Sequence, residues 1–137
     1  MTVVRMLSFD TLLTNIEHHP ENMAGIVIES ATVTTQEMKI NEERFLISAE
    51  TEAQYDTRTQ DGRQIAAITA RYRVIFQVDT EIDGYSAEKA EAYLKQHPTV
   101  LEAASTMLNM FANKDLTDLR IRHNIATAIP LAEMTVS

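Results

Sequence analysis

Two runs of strict alternation, set on either side of one glycine turn, constrain this chain more than any other feature. In the first, Phe45, Ile47, Ala49, Thr51, Ala53 and Tyr55 point one way, and Leu46, Ser48, Glu50, Glu52 and Gln54 the other. In the second, Ile68, Ala70, Tyr72, Val74, Phe76 and Val78 share a side, opposite Thr69, Arg71, Arg73, Ile75 and Gln77. A period of two with one apolar side is the pattern of a strand with one buried face. Asp61-Gly62 lies between the runs, and glycine takes the positive φ of a tight turn without steric cost. The pattern predicts a long antiparallel hairpin. Centring its turn near Thr59 sets Ser48 opposite Arg71 and Glu50 opposite Thr69. Glu50 and Arg71 then lie diagonally, within reach of a cross-strand ion pair.

Around this hairpin the chain reads as strands first and helices after. Residues 24–35 are β-branched and predict another strand. Residues 2–16 fit two patterns. Leu12, Leu13 and Ile16 suit a helix capped near Ser8, and Val3, Arg5, Leu7 and Phe9 suit a strand. The run HHPEN ends that segment, because proline restricts the residue before it. Ser86 is placed to cap a helix over AEKAEAYLKQ, with Ala90, Tyr93 and Leu94 on one side. Pro98 stops it and suits the first turn of the next helix. There Val100, Leu101, Ala104, Leu108 and Phe111 form an apolar stripe widened by Met107. Asn113 is the expected end of that helix, and Pro130 interrupts the mixed sequence beyond. The expected fold is one α+β domain over 1–137, an antiparallel sheet of about four strands followed by long C-terminal helices.

Composition narrows the function. The chain has 137 residues, a formal net charge of −8 and no cysteine. The acidic balance opposes binding to nucleic acid and anionic membranes, which needs clustered Lys and Arg. It favours basic partners. Without cysteine there is no disulfide scaffold, thiolate metal site or cysteine nucleophile. The N-terminal ten residues lack the pattern of a signal peptide, so the expected location is cytoplasmic.

Catalytic motifs are missing. The adjacent pair His18-His19 cannot converge on one metal without special loop geometry, because neighbouring side chains diverge. Glu50 and Glu52 share a strand face, yet the aromatic platforms that accompany sugar-cleaving carboxylate pairs are scarce. No phosphate cradle, zincin or nucleophile elbow is present. No metal or cofactor is expected. The methionines stand out instead. Met107 and Met110 accompany Leu108 and Phe111 on the second helix, and Met134 lies near the end. Flexible Met side chains suit adaptable binding surfaces as well as cores.

Nearly the whole chain resembles the SecB-like family, the bacterial export chaperone SecB and its relatives. RMLSFDTLLTNIEHHPEN is followed by GIVIESATVTTQEMKINEERFLISAETEAQYD, and RQIAAITARYRVIFQVDTEIDG is similar to the family's longest strand and corner, carried by Phe76, Val78 and Gly84. AYLKQHPTVLEAASTMLNMF resembles the loop and long helix that follow. The F-P-Y-like kink of the family's long helix and its proline-rich loop are missing. The resemblance implies an ATP-independent holdase for non-native polypeptides, in export or dedicated to one partner such as a toxin–antitoxin pair. It implies a homotetramer built as a dimer of dimers. Tyr72, Val74, Phe76, Met107, Leu108, Met110 and Phe111 are the pool for client binding or the oligomer interface. In the family, acidic groups on the outer sheet face dock the motor ATPase SecA. Here Asp10, Glu50 and Glu52 are the acidic candidates, while Thr69, Arg71 and Arg73 follow one another on the long strand. Two other readings stand beside it: a small pocket enzyme of ketosteroid-isomerase or hotdog kind, and a phage-type structural assembly subunit.

Overall fold

The alternating runs become β4 (Leu46–Thr59) and β5 (Gln64–Asp79), paired antiparallel along their length. The structure, a computed structural model, describes residues 1–36 and 38–125 and the backbone of 135–136. Both inward faces are buried as the alternation predicts, from Phe45 to Tyr55 and from Ile68 to Val78. The register differs from the expected one. Glu50 faces Arg73 rather than Thr69, and Ser48 faces Ile75 rather than Arg71. Two local features cause this. Thr59 accepts from the Gly62 N–H and donates its own N–H to the Arg63 carbonyl, which centres the turn nearer Asp61. One extra residue then enters β5 between Gln64 and Ala66, so the pairing slips beside Thr57 and Arg58. The expected faces survive because the turn and the bulge together preserve parity.

Residues 2–16, which fitted two patterns, belong to a strand, β1 (Val3–His18), antiparallel to β5. Register shifts around Leu7 and Leu12 explain the ambiguity. Each adds a residue, so the inward set steps from Met6 to Phe9 and from Thr11 to Thr14, mixing strand and helix spacings. β2 (Val27–Thr35) pairs with β4, and the two-residue β3 (Lys39–Ile40) pairs further along the same strand. Thr135–Val136 forms β6, which adds parallel to β2. The sheet order is β1-β5-β4-β2-β6, with β3 beside β4.

Helix α1 (Ala87–Gln96) starts where expected, with Ser86 Oγ accepting from the Lys89 N–H at 3.2 Å. Pro98 opens α2 (Pro98–Arg122). Asn113 does not end it, which corrects the expected boundary. Leu116 and Leu119 continue the buried stripe for two further turns, and Arg120 is also turned inward. That guanidinium lies over the Tyr55 ring at 5.2 Å and 3.9 Å from Glu29 Oε2, fastening the end of α2 to β4 and β2. Earlier on α2, Asp115 accepts a hydrogen bond from the Tyr72 hydroxyl on β5. The core lies between the sheet and these helices. No helix among the described residues is long and apolar enough to cross a membrane. Pro130 and Met134 lie outside the described residues.

Candidate functional site

A cleft of about 260 Å³ opens between β3, β4 and the two helices, lined by Met38, Ile40, Ile47, Glu91, Leu94, Lys95 and Leu101. Its construction is local. Asn41 Oδ1 accepts from the N–H groups of Glu43 and Arg44, at 2.8 and 3.0 Å, and turns the chain from β3 into β4. This brings Ile40 opposite Ile47 on the inner side of the sheet. The other wall comes from the helices. Tyr85 donates from its hydroxyl to the Asn41 carbonyl and packs near Phe45, whose ring also meets Tyr93 edge-on at 5.8 Å. That aromatic group sets α1 beside β3, with Leu94 turned inward and Leu101 following on α2. Lys95 and Glu91, one helical turn apart and 3.7 Å from each other, supply the charged rim. An apolar floor under a charged rim can take a nonpolar side chain out of water.

The residues singled out from the sequence fall into different environments. Tyr72, Val74, Phe76 and Leu108 are fully buried between sheet and helices. Burial, reinforced by the Asp115 hydrogen bond and charge, pushes the Tyr72 hydroxyl pKa far up. Met107 is half-buried against this core. Met110 and Phe111 are exposed, at 65% and 46%. The Phe111 ring lies 5.7 Å from that of Phe9, so the exposed surface of α2 meets β1 there. β1 is itself an edge of the sheet and leaves Leu7, Leu12 and Leu13 open to solvent.

Asp10, Glu50 and Glu52 come together on the outer sheet face, but beside arginines. Arg73 Nη2 donates to Glu50 Oε1 at 2.9 Å, and Arg71 Nη2 lies 3.7 Å from Glu50 Oε2. The Arg73 hydrogen bond, with the charges of Arg73, Arg71 and Lys39, holds the Glu50 carboxyl below its usual range. Asp10 faces Arg73 from β1, and Glu52 faces Arg71 from β4. The diagonal Glu50–Arg71 contact expected from alternation is present, and the closer partner is Arg73. This face carries mixed charge.

The pool read from the sequence omitted the cleft. Leu94 and Leu101 were legible as inward helix positions, and Met38 and Ile40 alternate at the lead-in to β4. Nothing in their spacing ties those two pairs together. Among the described residues, no group of three His, Cys, Asp or Glu is placed to hold a metal ion.

This architecture is SecB-like. The chain is similar in fold to the solved structure of the Mycobacterium tuberculosis Rv1957 SecB-like chaperone in complex with a ChAD peptide from the Rv1956 HigA1 antitoxin. The TM-score is 0.58, over 93% of this chain and 88% of that one, at 13% sequence identity. At that identity the likeness is one of fold. No family model matches the sequence, and no curated protein matches it either.

Proposed function

We propose that the protein is an ATP-independent chaperone that holds non-native polypeptide segments, with the cleft between β3 and the helices as its client site. The observation that carries this reading is the apolar cleft beside an exposed strand edge, on a fold shared with a chaperone solved with a bound peptide. An open apolar site stays soluble when charge surrounds it, and the formal net charge of −8 supplies that. Of the buried pool residues, Phe76 lies opposite Ile47 of the cleft across the hairpin, while Tyr72, Val74 and Leu108 belong to the core.

Self-association belongs to the same proposal. The long edge strand β1, its exposed leucines and the neighbouring Met110 and Phe111 form a surface suited to a second copy, since long uncovered strand edges invite pairing. A dimer of dimers would cover both the strand edge and the helix face. The outer sheet face offers a basic docking partner little free negative charge, because arginines face Glu50, Glu52 and Asp10. A SecA-type motor therefore has less support here than a client dedicated to this chaperone, such as the antitoxin of a toxin–antitoxin pair.

The test is light scattering from a chemically unfolded protein diluted into buffer with increasing amounts of the full chain and no nucleotide. Suppression of aggregation that saturates near a stoichiometric ratio supports the proposal. Unchanged scattering at every ratio overturns it.

A further inference from the structure

We infer that the cleft receives its polypeptide as an added β-strand, hydrogen-bonded main chain to main chain at Ile40, as well as by burial of a side chain. This rests on the client site proposed above and specifies how the client is held. Among the described residues, β3 is paired on one side only, with β4, through Lys39 opposite Ser48 and Ile40 opposite Ile47. The Asn41 N–H donates to the Leu46 carbonyl at 2.9 Å. Successive residues of an antiparallel ladder direct their N–H and C=O groups to opposite sides. With Asn41 turned toward β4, the N–H and C=O of Ile40 are turned away from it, toward the free edge.

The side chain of the same residue lines the cleft, as does that of Met38 two positions earlier. One residue therefore presents an outward donor and acceptor and also a wall of the apolar site. A residue placed directly opposite Ile40 in an added strand puts its side chain on the same face of the sheet. That face is the inner one, where Leu94 and Leu101 form the far wall. Among the described residues the lining has no aromatic ring, and Met38 has a flexible side chain, so aliphatic and aromatic side chains alike can be seated.

The occupant is an extended client segment with a large apolar residue at its centre and Lys or Arg on its flanks. Charge complementarity to a chain of net charge −8 favours those flanks. A second copy of this chain fits the β3 edge poorly. A second copy carries the same net charge of −8 and so lacks the basic flanks that favour docking here. Main-chain pairing reads extended conformation, with little dependence on sequence. Folded proteins, whose strand N–H groups are already bonded, would be passed over.

The experiment uses the full chain and the fluorescein-labelled peptide KKTVLVTKK, whose single leucine pins the register. Each of the five central residues is N-methylated in turn, and affinity is read by fluorescence anisotropy. The expected result is a period of two. Methylation at residues whose N–H faces β3 weakens binding about tenfold, and at the intervening residues less than twofold. Equal affinity for all five methylated peptides and the parent overturns strand addition while leaving the cleft as a side-chain site. No binding of the parent peptide overturns both this inference and the client site. Dissociation of protein oligomers by the parent peptide, without the alternating pattern, would assign the edge to a second copy and overturn the inference.

Discussion

Arg73 on β5 and Glu50 on β4 face each other directly across the hairpin, with Nη2 donating to Oε1 at 2.9 Å. The pair is exposed, so it adds little to stability at neutral pH, but it sets the titration of that face. The lowered Glu50 pKa means that the stabilisation is complete above the ordinary glutamate value of about 4.3 and is lost as pH falls through the lower folded value. Carbon-detected NMR titration should show the Glu50 carboxyl with a midpoint below that value, and Arg73→Ala should return it toward the ordinary range. The stability difference between wild type and a Glu50→Gln variant, small at pH 7, should shrink as pH falls through the lowered Glu50 midpoint.

The buried Tyr72 hydroxyl donates to Asp115 and fixes how α2 lies on β5. Tyr72→Phe removes the donor but keeps the ring, which contacts Phe9 at 4.5 Å between centroids. Asp115 is half-buried and can turn to solvent, so the expected loss is about 1 kcal/mol in urea unfolding.

Arg120 is 5% exposed and closes the far end of α2 over Tyr55 and Glu29. Removing one member of a buried charge pair leaves the other charge uncompensated and costs far more than replacing both members by apolar groups of similar volume. Arg120→Ala should therefore destabilise the protein by about 3 kcal/mol, and the double variant Arg120→Met with Glu29→Leu, which leaves no buried charge behind, should recover much of that. Denaturant midpoints of the two variants check the order.

Positions two residues apart on α2 separate surface from core. Met110→Asp should leave the fold intact, since Met110 is exposed, and should reduce self-association measured by sedimentation velocity. Leu108→Asp places a charge in the core and should unfold the chain by circular dichroism. Wild-type sedimentation of Met110→Asp would remove α2 from the oligomer surface.

Legibility in the sequence followed the physics of each element. β4 and β5 could be read because each has one buried and one wet face, so alternation is enforced residue by residue. β1 could not be settled, because extra residues at Leu7 and Leu12 break its period while its backbone stays extended. The hairpin register escaped for a similar reason, since turn position and a one-residue bulge are set by local hydrogen bonds rather than by hydropathy. Asn113 looked like a helix end in isolation, but Leu116 and Leu119 keep the inward stripe going, and burial outweighs a weak stop signal. The pool of apolar residues contained some of the core's largest side chains, Tyr72 and Phe76 among them, because the pattern reports burial. It missed the cleft because Met38, Ile40, Leu94 and Leu101 are joined only by tertiary packing.

The central claim is that the cleft holds non-native chains, and Leu101→Glu tests it most directly. Leu101 is half-buried on the cleft wall, so its replacement charges the site while leaving the inner core of α2 in place. The measurement is suppression of aggregation by wild type and by this variant at equal concentrations, with circular dichroism showing both folded. The prediction is stoichiometric suppression by wild type and at least a tenfold higher requirement for the variant, about 1.4 kcal/mol of lost client affinity. Equal suppression by the two proteins, or none by wild type, would contradict it.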